Sequence, residues 1–419
     1  MNIAMGIVKI EINFAELSQA LNEASKKPKE IFQHLSKELK SGASTAINQL
    51  LNSEMTIFLG QADQAGNKRN GYYERDYVIK NIGAIRVKMP IDRRREFESK
   101  LIPKSERVDP RIKEDIAFLH LAGLSTRTLG LMSHRLLGLE VSADTVSKSL
   151  DLIKNQAVSW LERPLNKKYW ALYVDGTNFN IQKAGTTGKE PSLVVVGIDE
   201  NNYRSILAIE QGQKDNIESW QSVFNELIAR GLDASSVKLG IMDGLPGLER
   251  CFKNTFPNSI TARCWAHASR NALSRVSKKI SPIFKKLLQK IMYAESETAA
   301  RQAFEQLKTL MEKDAEKGVR IIEKDLESLL NHYKFEKHLW PSLRTTNPIE
   351  RVNKELKRRT KVMDGLGDKT LRCIQAFVAM KMEMTWQKNS IESGHFSHME
   401  KIQINRLERS FENLLRVVN

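Results

Sequence analysis

The chain has 419 residues, 41% of them apolar, and 66 Lys and Arg against 50 Asp and Glu give a formal charge of +16. That length allows two or three domains with a sizeable core, and the positive balance points to a polyanionic partner. No apolar run reaches about 18 residues, which argues against a membrane-spanning or membrane-bound protein.

The opening MNIAMGIVKIEINF carries Glu11 early and has no basic lead, so no signal peptide is expected. Three cysteines, Cys251, Cys264 and Cys373, make no even disulfide framework, and a reducing cytoplasm is the expected home.

Residues 1–65 read as an N-terminal helical region. Pro28 interrupts it, and Ile47, Leu50, Leu51, Met55, Phe58 and Leu59 form a stripe at helical spacing that Gly60 closes. This suits a packing or dimerising helix. Residues 66–105 read as a basic hairpin. GNKRNGYY is a turn-rich entry, and Ile85, Val87, Met89 and Ile91 alternate with Arg86, Lys88 and Pro90. Arg93, Arg94 and Arg95 follow, with Tyr72, Tyr73 and Tyr77 nearby. A face laid along a DNA backbone and a plain solvated face both fit.

Residues 106–160 are helical. Ser125 is placed to cap a helix carrying Leu129, Met132, Leu136 and Leu137, closed by Gly138. Ser142 is placed to cap a second, carrying Thr145, Val146, Leu150 and Ile153. The pair fits a helix-turn-helix whose second helix, with Ser147 and Lys148, enters the major groove. An ordinary helical pair fits equally.

Residues 165–265 alternate strands and helices, an α/β sheet. The first strand, with Trp170, Leu172 and Val174 alternating with Ala171 and Tyr173, is expected to end at Asp175, before Gly176. Ser192–Ile198 and Tyr203–Ile209 are further strands, and Ile217–Arg230 is an amphipathic helix. Val237–Met242 is a strand ending in Asp243, Leu245–Phe252 opens a helix, and another strand lies around Ile260–Arg263. Residues 266–340 form an all-helical insertion marked by Leu287, Leu288, Ile291, Phe304, Leu307, Leu310, Met311, Ile321, Ile322, Leu326, Leu329 and Leu330. The α/β unit resumes over 341–370, and 371–419 read as C-terminal helices.

LYVDG and GIMDG share one setting: an apolar strand, Asp, then Gly. Carboxylates at neighbouring strand ends repel one another. A divalent cation reverses that preference, because Mg²⁺ takes hard oxygen ligands and keeps positions for water and phosphate. Two ions about 3.5–4 Å apart suit an in-line displacement at phosphorus. The plainer reading of each Asp-Gly is a turn.

Glu350 stands in TTNPIERVNKELKRRTKVM. Asn347 suits an N-cap, Pro348 the first helical position and Glu350 the third, so a capping box explains Glu350 without chemistry. On the helix, Ile349, Val352, Leu356 and Met363 make a core stripe. Glu350 lies opposite, heading a ladder of Lys354, Lys357, Arg358 and Lys361, with Arg351 beside it. Bases of this kind can hold a phosphate backbone, and a solvated helix with i,i+4 pairs fits as well. Cys264 and His267 form a Cys-x-x-His pair. Zinc wants four ligands, and with Cys251 as a third no clear fourth is near; a buried Cys beside a hydrogen-bonded His is the alternative. Arg270 and Asn271 follow, facing either DNA or solvent, while Trp220 and Trp265 read as core.

In order, YVDGT, IMDG, CWAHASRN and TTNPIERVNKELKRRTKV resemble the Mutator-type insertion-sequence transposases of the DDE class. FLG…RNGYYERDYVIKNIGAIRVKMPIDRRREFES and LSTRTLG…VSADTVSKSL are similar to the same family, so the likeness spans roughly residues 45 to 390. MDGLGDKTL departs from it at Gly365 and Gly367, and the first 15 residues have no counterpart. The resemblance implies an RNase H-like catalytic domain with an all-helical insertion, preceded by a helical and hairpin DNA-binding region. It also implies Asp175, Asp243 and Glu350 as catalytic and metal-holding acids, Cys264 and His267 as their surroundings, and Mg²⁺ or Mn²⁺ as cofactor. The implied activity is cutting the ends of a mobile element and joining the 3′-OH ends to target DNA. The partners would be double-stranded DNA, as terminal inverted repeats and target, and a second copy or more of the chain, with nucleoid association in the cytoplasm. An RNase H-class nuclease that does not join, and a DNA-binding regulator with an unused metal site, are the alternatives.

Overall fold

The computed structural model describes residues 28–137, 141–183, 186–361, 367–388 and 390–391. The expected closure at Gly138, Met363 on the core stripe, Gly365, residues 1–27 and most of the C-terminal tail lie outside these. The chain divides into two compact units, 1–120 with 124–150, and 121–123 with 151–419.

The first unit opens with α1 (Pro28–Leu59). The helix is described from Pro28 onward, so the interruption expected there falls at the edge of the described residues. Leu51 and Met55 are buried, but Leu50 is exposed, so the packed stripe is narrower than expected. It lies on a hairpin of β1 (Arg69–Ile79) and β2 (Gly83–Asp92), paired antiparallel with Tyr77 opposite Ile85 and Glu74 opposite Lys88. Ile85, Val87 and Met89 point into that core while Arg86 and Lys88 face out, the alternation the pleat demands. Three helices follow: α2 (Pro110–Leu121), α3 (Thr126–Leu137) and α4 (Ala143–Leu161). Ser125 Oγ accepts from Thr128 N–H and Ser142 Oγ from Thr145 N–H, each at 3.1 Å, the two caps read from the sequence. The division between units falls inside α4.

The second unit is mixed α/β. Its sheet has five strands: β3 (Tyr169–Lys183), β4 (Thr186–Asp199), β5 (Arg204–Gln211), β6 (Leu239–Met242) and β7 (Ile260–Arg263). Their spatial order is β5-β4-β3-β6-β7. β3, β4 and β5 run as an antiparallel meander, while β6 and β7 lie parallel to β3. Parallel pairing needs crossovers, and α5 (Ile217–Ala229) and α6 (Pro246–Thr255) supply them. Both pack on one sheet face, where Leu172, Val174, Leu193 and Val195 meet Trp220, Phe224, Phe252 and Phe256. Each such side chain contributes roughly 1.5–3 kcal/mol by burial.

Beyond β7 come α7 (Trp265–Leu273), α8 (Ser281–Met292) and the 34-residue α9 (Glu297–Leu330), whose helix breaks at Ala315. They share a separate core around Phe284, Phe304, Leu307 and Ile322. Leu310, expected in that core, is 61% exposed. Then α10 (Asn347–Thr360) and α11 (Asp368–Trp386) return to the sheet. No helix among the described residues is long and apolar enough to cross a membrane.

Candidate active site

The parallel register sets up the site. Ala171 pairs with Leu239 and Tyr173 with Ile241, so two residues further on Asp243 falls alongside Asp175. Met242 pairs with Arg263, which puts Cys264 next in the row. Residues 171, 173 and 175 share the sheet face opposite the α5–α6 core. Asp175 is not a strand end, however. β3 continues to Lys183, with Asp175 opposite Val194 in β4; only the pairing with β6 stops here. The expected turn at Asp175-Gly176 is absent, whereas Asp243-Gly244 does turn, with Gly244 at φ +86°.

The two glycines serve different ends. A Cβ on Gly176 would lie 2.4 Å from Cβ of Lys214. One on Gly244 would lie 2.4 Å from Nη1 of Arg263, which is held by Asp325 at 2.9 Å. Gly176 thus admits Lys214 to the acids. Lys214 Nζ donates to Asp243 Oδ2 at 2.7 Å, while Oδ1 of Asp243 accepts from Leu245 N–H at 3.3 Å.

Asp175 is 5% exposed, and its Oδ1 has no hydrogen-bond partner among the described residues. Burial, then the neighbouring Asp243 charge, pushes its pKa up to about 7 against the pull of Lys214. Its Oδ2 faces Nε2 of His267 at 3.7 Å. Burial holds the His267 pKa below its usual range, so the ring is neutral at physiological pH.

Glu350 lies in the first turn of α10. The capping box is not formed. The N-cap is Thr346, with no side-chain cap bond, and its carbonyl accepts from Ile349 and Glu350 N–H. The Thr346 hydroxyl turns to Cys264 instead, donating to Sγ at 3.4 Å, and it lies 3.5 Å from Nδ1 of His267. Thr346 N–H also donates to Sγ, at 3.3 Å. Glu350 is thereby left to face Arg270, whose Nη2 donates to Oε1 at 3.1 Å.

Cys264 therefore ties the end of β7 to the start of α10. It is fully buried, and burial pushes its thiol pKa up, away from the thiolate a metal would need. Cys251 sits in the α5–α6 core and donates to Gln221, so the third zinc ligand considered from the sequence is engaged elsewhere. Among the described residues no three His, Cys, Asp or Glu side chains converge as a ligand set. Two of the acids hold cations of the protein instead. The donor chemistry still suits a hard cation: three carboxylates, one with an orphaned buried oxygen.

Compared with known proteins, residues 14–389 match the model of the family described as "Transposase, Mutator family". The chain belongs to this family. The transposase for insertion sequence element IS905 of Lactococcus lactis subsp. lactis (strain IL1403) is 30% identical over 335 residues, covering 78% of this chain and 84% of that protein. The transposase for ISRM5 of Rhizobium meliloti (strain 1021) is 25% identical over 373 residues, covering 87% and 92%. Among solved structures, the Drosophila P element transposase strand transfer complex aligns loosely, with a TM-score of 0.39 and 8% identity over 64% of this chain and 91% of that chain.

The other residues picked out in this Mutator-family chain fall in both units. Arg351, Lys354, Lys357, Arg358 and Lys361 are exposed along α10, with Arg358 paired to Glu355 at 3.4 Å. Arg270 and Asn271 are exposed on α7. In the first unit, Arg93, Arg94 and Arg95 are exposed on the turn after β2, but the Arg94 guanidinium donates to the backbone of Asp63 and Ala65. Lys148 pairs with Asp144, one turn earlier in α4, and Ser147 is exposed beside it. Sequence reasoning missed Lys214 and Thr346 altogether, and missed that Arg270 pairs with Glu350. Lys214 lies in the β5–α5 connection, where no periodicity marks a residue; only its proximity to Asp243 in space does.

Proposed function

We propose that this chain cuts the ends of a mobile DNA element and joins the freed 3′-OH ends to target DNA, with Asp175, Asp243 and Glu350 holding Mg²⁺ or Mn²⁺. The five-stranded mixed sheet, with a helical block between the second and third acids, is the architecture an RNase H-like core requires of this reading. The observation that carries it is the charge arrangement: Asp243 and Glu350 each hold a cationic side chain, while Asp175 keeps a buried oxygen unpartnered.

Bound divalent ions would supply charge stabilisation for the attacking and leaving oxygens at phosphorus. The protein's own residues do the rest. The β3–β6 register fixes the two aspartates side by side. Thr346 and Cys264 fix the start of α10, and hence the backbone of Glu350. His267, neutral and half-buried, stands beside Asp175 without adding a competing charge. Arg270, 65% exposed, can also donate to a phosphate. The amide end of α10 adds positive potential at the same place, and the exposed bases along that helix extend it for backbone contacts. The nucleophiles are water for cleavage and the 3′-OH for joining, so no protein nucleophile is required. Handling two element ends together calls for a dimer or larger assembly.

The test uses the full chain with labelled duplexes bearing its own element ends, Mg²⁺ and a supercoiled plasmid. Cleavage followed by joined product supports the reading. Cleavage with no joining identifies a nuclease, and tight binding without metal-dependent cleavage identifies a regulator.

A further inference from the structure

Resting on that three-acid reading, we propose that Lys214 is a built-in counter-ion, occupying the place of a divalent cation at Asp243 beside Asp175, which an entering ion must displace. Three features show that its position is constructed. Its backbone is clamped: the indole N–H of buried Trp220 donates to the Lys214 carbonyl at 2.8 Å. The adjoining chain is pinned too, Gly212 N–H donating to Pro191 and Asn216 N–H to Gln213. Finally, Gly176 leaves open the space that any Cβ would take from it, 2.4 Å from Lys214 Cβ and 3.3 Å from its Cα. A lysine that merely decorated the surface would need none of these.

The chemistry follows from charge. Two adjacent carboxylates repel, and one ammonium offsets a single charge while donating one strong hydrogen bond. A divalent ion offsets both, so it wins the place but must first break the Lys214–Asp243 pair. The lysine has somewhere to go: its side chain is 34% exposed, and its stem is four flexible carbons. Lys214 therefore acts as a positioning residue. It keeps the acids together without an ion and sets the threshold at which an ion enters.

The experiment measures Mn²⁺ binding alone, without DNA, by titration of the full chain at fixed pH and ionic strength. Lys214→Met and Lys214→Gln each remove the charge, and Lys214→Arg keeps it. Circular dichroism and thermal melts confirm that each is folded. The neutral variants are expected to bind Mn²⁺ about tenfold more tightly than the wild type, the scale of breaking one partly buried charge pair. The arginine variant is expected to stay within about twofold of wild type, since its charge is retained. Equal or weaker binding by both neutral variants overturns the proposal. If Asp243→Asn abolishes Mn²⁺ binding in that case, the three-acid reading still stands. If no variant and no wild-type protein binds Mn²⁺ at all, the three-acid reading itself has failed and this proposal falls with it.

Discussion

Arg270 on α7 holds Glu350 on α10 through a 3.1 Å contact between Nη2 and Oε1, across 80 residues of sequence. The pair is open to solvent, with side-chain exposures of 65% and 30%, and pairs of that kind contribute only about 0–1 kcal/mol. This pair therefore adds little to stability. Glu350→Gln should melt within about 2–4 °C of wild type and bind element ends normally. Its strand cleavage should fall by about 10³-fold or more, the scale of losing a several-kcal/mol electrostatic contribution. A gel-based cleavage assay beside a thermal melt checks both. Normal cleavage would sink the three-acid mechanism, because glutamine keeps a cap's hydrogen-bonding ability and removes only the charge.

Asp175 makes a pH prediction for the protein in EDTA. Its native pKa is raised to about 7 by burial and by Asp243, well above an unfolded aspartate near 3.9. Between those values the native state keeps a proton that the unfolded chain has lost. Stability therefore falls as pH rises through this window, and the full deficit is present above pH 7. Asp175→Asn removes the titration. It should be more stable than wild type by roughly 2–4 kcal/mol at pH 8, and no more stable at pH 4. Urea denaturation at the two pH values measures the difference. An equal gain at both would show that packing, and not ionisation, is responsible.

Much of this is legible in the sequence, and what is not has physical causes. Strand β7 spans the expected Ile260–Arg263, and the paired caps at Ser125 and Ser142 form, because each depends on neighbours in sequence. Asp175 reads as a strand end because Gly176 looks like a turn residue, whereas the glycine makes room for Lys214, distant in sequence. Thr346 gives no local signal, because Asn347-Pro348 is the better capping pattern. The hydroxyl of Thr346 is drawn instead to Cys264, 82 residues away. Local rules fail at this site where a distant partner outcompetes the neighbouring backbone.

The two Asp-Gly pairs should respond differently to the same substitution. Gly176→Ala and Gly244→Ala both introduce contacts of 2.4 Å, and overpacking of that kind costs about 1–3 kcal/mol. At Gly176 the obstacle is chiefly Cβ of Lys214, 2.4 Å away. At Gly244 the φ of +86° is itself unfavourable for alanine. Adding Lys214→Gly, which removes the clashing Cβ, should therefore recover part of the loss at 176, whereas adding Arg263→Ala leaves the φ penalty at 244 in place. Double-mutant cycles from denaturation curves give the two coupling energies, and equal recovery at both sites would refute the distinction.

Cys264 is engaged with Thr346 through its sulfur, and Cys251 lies in a different core. Protein purified without chelator should accordingly hold no stoichiometric zinc by elemental analysis. Cys264→Ala should cost about 1–3 kcal/mol, because it leaves the buried Thr346 donors unsatisfied. A zinc content near one per chain, lost in the Cys264→Ala variant, would show that the pair is a metal site after all.

The exposed bases of α10 make the final prediction. Lys354, Lys357 and Lys361 are exposed and, among the described residues, take part in no ion pair, whereas Arg358 is shared with Glu355. A lysine that neutralises a DNA phosphate releases condensed counter-ions, and each such contact contributes about −0.9 to the slope of log K against log salt concentration. Replacing one of the three lysines by alanine should lower that slope by about one and weaken binding to element ends and to unrelated duplex alike. Arg358→Ala should change it less, because Glu355 already neutralises part of its charge. Fluorescence anisotropy across a salt series gives the slopes. If the three lysine variants keep the wild-type slope, α10 presents its basic face to water, and the phosphate backbone must be held elsewhere on the chain.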